Sequence, residues 1–355
     1  MDFTRDDART VQRLVAETIR DLRAQRAHER PSLLKMVGVG HGSRSSAAAS
    51  AAGNPPTRPA PAREAGRRVM TPARDLPDDQ DFIGDDIGPW SEIKLDIIRD
   101  YASAYSRILT AQPGLSHAYI DGFAGAGAHR SKASGEIVDG SPRIALSIDP
   151  PFKDYFLIDL QRERVEELEA LAKGRSDVHI CLGDCNEVLV RGVFPLVRYR
   201  DYRRALCLLD PYGMNLRWET IATAGATGSV EVIVNVPLGA MNRNALLTRP
   251  DRIRPGTAEK MTALWGDESW RDIAYTSQPT LFGGEELEKT STAKVAAAFR
   301  KRLRDVAGFA FVPEPLPMRN SKNVVLYYIY FASQNATGGK IIGDIFEKWR
   351  RRGVR

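Results

Sequence analysis

His117-Ala118-Tyr119-Ile120-Asp121-Gly122-Phe123-Ala124-Gly125-Ala126-Gly127 reads as a short strand that ends in an acid and runs into a glycine-rich turn. Glycine lacks a Cβ and tolerates positive φ, so such a turn lets a backbone approach a bound ligand closely. Alone it is a weak nucleotide-loop signal. It gains weight from the apolar runs that follow: Tyr155–Asp159, Val178–Leu182 ending in Gly183-Asp184, Ala205–Leu209 ending in Asp210-Pro211-Tyr212-Gly213, and Val230–Val234 ending in Asn235-Val236-Pro237. Short apolar strands alternating with helical stretches predict an α/β fold with a mostly parallel sheet covered on both faces.

The helical stretches have their own signatures. Ile93, Ile97, Tyr101, Tyr105 and Ile108 make one face of a helix over 91–109, and Val165, Leu168 and Leu171 mark another that Gly174 would stop. Ser141-Pro142 predicts a helix start with Ser141 as N-cap, which leaves 128–140 as a long polar loop. Residues 240–300 read as a mainly helical insertion anchored by Trp265 and Trp270. Phe309–Val312 and Val324–Ala332 read as an antiparallel pair at the sheet edge, before a last helix from about Gly339 to Arg351.

Upstream, residues 1–80 differ in kind. Val11, Leu14, Val15, Ile19 and Leu22 make one helical stripe, whereas 16 of the 21 residues in 43–63 are Ala, Ser, Pro or Gly. Such a composition buries too little apolar surface to offset its ordering entropy, so 28–80 is expected to be a linker and 81–355 the folded domain. Of the net charge of +6, residues 1–80 carry +4 and 81–355 only +2, so the high pI is no argument for nucleic-acid binding by the folded body. No run approaches the length of a membrane span, and the charged start is unlike a secretory signal, which predicts a cytoplasmic protein without a membrane partner. Cys181, Cys185 and Cys207 lack the spacing of a metal or cluster site and read as free thiols.

In an open α/β sheet, ligands bind outside the carboxyl ends of the strands. Those ends carry Asp121, Phe123, Gly125, Gly127, Asp159, Asp184 and Asp210. A dinucleotide site wants a third glycine and a helix that starts at once; here Arg130 stands in the third position and the helix start is 14 residues beyond Gly127. A nucleoside-type donor without a pyrophosphate fits better, and S-adenosylmethionine is such a donor. Asp121 would pair with its ammonium, Asp159 would accept from both ribose hydroxyls, and Asp184 would accept from the adenine amino group.

Leu208-Leu209-Asp210-Pro211-Tyr212-Gly213 resembles the Asp-Pro-Pro-Tyr type motif of methyltransferases that act on exocyclic amino groups of bases, with one proline absent and the aromatic one place early. The Asp210 carboxylate and the Pro211 carbonyl would accept the two amino hydrogens, and Tyr212 would stack on the base. Together with Gly140-Ser141-Pro142, Gly183-Asp184-Cys185-Asn186, Asn235-Val236-Pro237, Trp265-Gly266-Asp267-Glu268-Ser269-Trp270 and Tyr327–Ser333, the chain over about 82–350 resembles the three-Cys-motif partner proteins, TcmP. The resemblance implies a Rossmann-like class-I methyltransferase sheet and a bacterial protein encoded beside a three-cysteine protein similar to radical S-adenosylmethionine enzymes. Three function classes follow: a methyltransferase acting on an amino group, with nucleic acid as a candidate substrate; a cofactor-binding module that assists the three-cysteine protein without turnover; and a nucleic-acid-binding module that uses the basic tails.

Overall fold

Each parallel strand is an apolar run of five to seven residues, too short for a helix and rich in the branched and aromatic residues that suit a sheet covered on both faces. The computed structural model describes residues 84–279, 285–320 and 322–353, which belong to one unit; the readings made for residues 1–80 lie outside them. In chain order the strands are β1 (Asp85–Ile87), β2 (Ser116–Asp121), β3 (Ala128–Ser131), β4 (Ile137–Asp139), β5 (Asp154–Asp159), β6 (Val178–Leu182), β7 (Arg203–Leu209), β8 (Val230–Val236), β9 (Tyr275–Pro279), β10 (Glu285–Lys289), β11 (Leu316–Arg319) and β12 (Val325–Ala332). The α-helices are α1 (Pro89–Thr110), α2 (Ser141–Leu146), α3 (Arg162–Leu171), α4 (Cys185–Val188), α5 (Trp218–Thr227), α6 (Leu238–Asn244), α7 (Pro255–Trp265), α8 (Trp270–Ala274), α9 (Thr292–Asp305) and α10 (Ala336–Arg351).

The seven-stranded sheet runs β11-β12-β8-β7-β2-β5-β6. β2, β5, β6, β7 and β8 are mutually parallel, and β12 runs antiparallel to both β8 and β11. This is a Rossmann-like sheet of the class-I methyltransferase type. The chain moves outward from β2 through β5 to β6, then returns to β7 on the other side of β2. The strand order therefore reverses between β2 and β7, where a doubly wound sheet opens a crevice at its carboxyl edge.

One layer of the core joins α1 and α10 to the sheet: Ile97, Tyr101, Phe331, Ile342, Phe346 and Trp349 belong to a single buried cluster. Tyr101 and Tyr105 on the expected face of α1 are buried, while Ile108, nearer its end, is exposed. Beneath this layer, Glu231 accepts hydrogen bonds from Tyr101 Oη at 2.5 Å and Ser333 Oγ at 2.9 Å. Burial raises its pKa, and the two donors oppose that rise.

Several elements differ from the sequence reading. The stretch 128–140 is not a plain loop: β3 and β4 form a hairpin, and β3 pairs in parallel with β1. Gly140, not Ser141, is the N-cap of α2. The edge partner of β12 is Leu316–Arg319, and Phe311 makes only an isolated bridge to Ser333. Pro317 is tolerated there because an edge strand has one unpaired side. Residues 238–305 hold helices α6 to α9 but also the β9–β10 hairpin. Trp265 and Trp270 are buried, donating to Ser269 Oγ and Thr262 Oγ1, each at 3.0 Å.

Candidate functional site

The turn after β2 is an extension of the sheet. Gly122 N–H donates to the Leu208 carbonyl at 3.0 Å and Ala124 N–H to the Ile158 carbonyl at 2.9 Å, so the loop is anchored to β7 and β5 on its two sides. Gly125 and Gly127 have φ of +66° and +82°, the left-handed region that favours glycine. A Cβ at Gly125 would meet nothing within 4 Å, so this backbone borders open space. Gly127 instead packs inward: a Cβ on Gly140 would come within 2.9 Å of its carbonyl carbon.

Two clefts open at the carboxyl ends of the strands and share Phe123 and Tyr212 as a common wall. The first, of 480 Å³, is lined by Gly122, Asp159, Gln161, Asp184 and Arg217 among others. The second, of 280 Å³, is lined by Lys94, Gly125, His129, Asp210, Pro211 and Asn235 among others. Thus seven of the nine residues expected at the site line one or both clefts, whereas Asp121 and Gly127 line neither.

Asp159 ends β5 and accepts from Gly125 N–H and Gln161 N–H, each at 2.9 Å. It thereby staples the glycine loop to the neighbouring strand. A carboxylate has about four acceptor sites, so these two contacts leave capacity for a ligand hydroxyl. Asp184 caps α4: its Oδ1 accepts from Asn186 N at 3.0 Å and Asn186 Nδ2 at 2.8 Å, and its Oδ2 pairs with Arg217 at 3.0 Å. Asn186 in turn accepts from Arg217 N–H at 2.8 Å and Thr220 Oγ1 at 2.9 Å, which fixes that wall of the first cleft.

Asp121 lines neither cleft. It is fully buried behind the loop, accepting from Phe123 N–H at 3.2 Å and Tyr119 Oη at 3.3 Å and hydrogen-bonded by Ser141. Burial pushes its carboxyl up to about 7, against the hydrogen bonds from Ser141 and Phe123, with the charge of Asp210 adding to the rise. Asp121, expected to pair with an ammonium, is thus engaged within the protein and lines neither cleft.

Asp210 is already partnered. Lys94 on α1 forms an ion pair with its Oδ2, and Asn235 Nδ2 donates to its Oδ1 at 2.6 Å. Burial lowers the Lys94 pKa, but the facing Asp210 carboxylate outweighs it and the net shift is upward. Since an ionised carboxylate only accepts, the Asn235 amide must turn its NH₂ toward Asp210, which leaves its Oδ1 pointing elsewhere. That oxygen is buried and has no hydrogen-bond partner among the described residues, and the same holds for His129 Nδ1. Burial lowers the His129 pKa, with Lys94 contributing.

Tyr212 stands 53% exposed over the shared wall. Its hydroxyl donates to Asp85 on β1 and accepts from Arg164 Nη1 at 3.0 Å, while the Arg164 guanidinium lies 5.1 Å from its ring centroid. Arg164 also reaches both oxygens of Asp85 at 3.2 Å. Burial and the Asp85 hydrogen bond push the Tyr212 phenol up to about 12.

Sequence reasoning missed Lys94, Arg164 and Asp85. Lys94 did carry a signal, since it sits four residues before Ile98 and seven before Tyr101, a charge on the buried face of α1. Arg164 and Asp85 carried none, because their meeting depends on β1 pairing with β3. Cys185 and Cys207 are buried and Cys181 half-buried; burial pushes the Cys181 thiol up to about 11 and the other two upward. No group of three or more His, Cys, Asp or Glu among the described residues could hold a metal ion, and no described helix is long and apolar enough to cross a membrane.

No family model and no curated protein matches the chain. Solved structures do. Protein LPL1258 from Legionella pneumophila is 11% identical, with 72% of this chain and 91% of that chain covered and a TM-score of 0.45. The N-methyltransferase NodS from Bradyrhizobium japonicum, solved with S-adenosyl-L-homocysteine, is 10% identical over 59% of this chain and 85% of that one, with a TM-score of 0.28. TrmN from Thermus thermophilus is 16% identical over 65% and 47%, with a TM-score of 0.26.

Proposed function

We propose that this chain is an S-adenosylmethionine-dependent methyltransferase acting on an exocyclic amino group of a nucleic-acid base. The observation that carries the reading is the pair of clefts on either side of Phe123 and Tyr212, one lined by Asp159 and Asp184, the other by Asp210, Pro211 and Asn235, whose buried Oδ1 has no partner among the described residues. The first cleft suits a nucleoside: Asp159 retains acceptor capacity for ribose hydroxyls, Asp184 and Arg217 border the place of the base, and the open side of Gly125 suits a chain passing toward the second cleft. S-adenosylmethionine, when bound, supplies an electrophilic methyl group.

In the second cleft, the two acceptors for an incoming amino group are the Asn235 side-chain oxygen and the Pro211 carbonyl. Holding both N–H bonds aims the nitrogen lone pair at the wall shared with the first cleft, and such orientation is a large part of the barrier to a displacement. Asp210 is then a positioning residue. Lys94 pairs with its Oδ2, and its Oδ1 fixes the Asn235 amide. Tyr212 is placed to stack on a base that has left its duplex.

A second reading is a cofactor-binding module that assists a three-cysteine partner protein of the TcmP neighbourhood without turnover. It is favoured by the engagement of Asp210 with Lys94 and of Tyr212 with Asp85 and Arg164. Two measurements separate the readings. Calorimetry with S-adenosylmethionine is expected to show binding that Asp159→Ala weakens and Asn235→Ala leaves intact. Transfer of labelled methyl to RNA or DNA is expected to fall by about 10²-fold in Asn235→Ala. Absence of binding to the intact protein would sink both readings. Binding without labelling of any acceptor, with or without the partner protein, would leave the module.

A further inference from the structure

At the pole opposite the clefts, the chain enters β7 through Arg198-Tyr199-Arg200-Asp201-Tyr202-Arg203-Arg204. Tyr199 and Tyr202 are 60% and 67% exposed, an unusual placement for two large rings on one turn. The turn is well tied. Tyr202 N–H donates to the Tyr199 carbonyl at 3.1 Å, and its own carbonyl accepts from Ser116 N–H at 3.0 Å. Tyr202 has a φ of +55°, a conformation costly for a residue with a Cβ.

The charges around these rings are only partly paired. Asp201 is taken by Arg198 at 2.6 Å and Asp154 by Arg203 at 3.4 Å. Arg204 lies 3.7 Å from the Tyr199 ring centroid, held there by the carbonyls of Tyr199 at 3.3 Å and Arg203 at 2.8 Å. Arg200 and Lys153, both exposed, have no ion-pair partner among the described residues. The patch thus gathers five cations and two acids on a body whose net charge is only +2.

We propose that this arginine–tyrosine platform binds single-stranded nucleic acid, with Tyr199 and Tyr202 stacking on unpaired bases and Arg200, Arg204 and Lys153 facing phosphates. Stacking tolerates any base because every base has a π face, and a basic groove beside the rings tracks the backbone. A duplex hides those faces, so the exposed rings favour a single strand. An acidic peptide would match the charge but would leave the two rings unexplained. The platform sits at the amino ends of β2, β5 and β7, and the clefts at their carboxyl ends, so it does not depend on the methyl-transfer reading.

The test uses the full chain and fluorescence anisotropy with a labelled mixed-sequence RNA of about 12 nucleotides, single-stranded or annealed to its complement. Tyr199→Ala with Tyr202→Ala is expected to weaken single-strand binding about tenfold or more without lowering the thermal midpoint, since both rings are exposed. The slope of log affinity against log salt stays unchanged, because no charge is lost. Arg200→Ala is expected to reduce that slope by about 0.7. Basic residues elsewhere in the chain cannot reproduce the tyrosine effect. The proposal is overturned if the double variant binds like wild type, if duplex binds as tightly as single strand, or if the intact chain binds neither. Tyrosine-dependent flotation with phosphatidylserine vesicles, in place of RNA binding, would assign the surface to a membrane and overturn it equally.

Discussion

A carboxyl held at about 7 inside a folded protein leaves a mark on stability, and Asp121 is such a group. Unfolded aspartate titrates near ~3.9, so between the two values the folded protein keeps a proton that the unfolded chain releases. Stability therefore falls as pH rises through this window, and the cost, at most about 4 kcal/mol, is complete above about 7 and absent below about 4. Asp121→Asn removes the ionisation. Urea unfolding is expected to show the variant gaining on wild type from about pH 4 to about pH 7, with no further change above; a gap independent of pH would mean the carboxyl is not held protonated. Lys94 gives a second prediction. With side chains 13% and 25% exposed, Lys94 and Asp210 are a largely but not fully desolvated pair. Lys94→Met leaves the carboxylate with Asn235 alone and is expected to cost about 2 kcal/mol, less than the loss for a fully buried pair. Much of that loss should return when Asp210→Asn is added, as a double-mutant cycle in chemical denaturation would read. Additivity of the two changes would show that the pair contributes nothing.

Helices and strands test a different property, the tolerance of packed surfaces. Gly225 in α5 lies against the chain after α9, where a Cβ would stand 2.0 Å from the Ala307 carbonyl oxygen. Gly343 in α10 has nothing within 4 Å of the same position. Gly225→Ala is expected to destabilise by about 2–3 kcal/mol through overpacking, and Gly343→Ala to stabilise by up to about 1 kcal/mol through helix propensity. Equal effects in urea unfolding would mean that the α5 contact relaxes freely. These elements also show what the sequence could reveal. The five parallel strands were legible because each is an apolar run, buried in four and half-buried in β6, ended by Asp, Gly or Pro, and α1 because Ile97, Tyr101 and Tyr105 repeat at helical spacing. β1, β3 and β4 were not: they have three or four residues each, and β1 finds β3 across more than 40 positions of chain. The exposed β9 carries no alternation to read, and β11 was hidden by the prolines around it. At the site, Asp159, Asp184 and Asp210 were legible as strand-end acids. The pairing of Asp210 with Lys94 was not, since it joins the end of β7, the fourth strand of the seven-stranded sheet in chain order, to a helix that precedes all seven.

The described chain closes on itself across its whole length. The buried cluster that begins at Ile87 ends at Trp349, and Lys348 on α10 reaches Asp100 on α1 at 2.8 Å. A core that draws on both ends of the described region is the arrangement expected of a domain that folds as a unit. Residues 1–80 hold 14 Lys and Arg against 10 Asp and Glu, a net +4 that would add salt-sensitive affinity for polyanions. A chain that begins at residue 81 separates these contributions. Its thermal midpoint is expected to lie within about 2 °C of the full chain, a shift equivalent to under about 1 kcal/mol for a domain of this size. Affinity for single-stranded RNA is expected to fall together with the salt slope, while the residual binding still depends on Tyr199 and Tyr202. A drop of more than about 5 °C would place part of residues 1–80 in the core and end the description of 81–355 as an independent domain. Loss of the tyrosine dependence with the first 80 residues would instead show that the platform at the amino pole acts only with help from them.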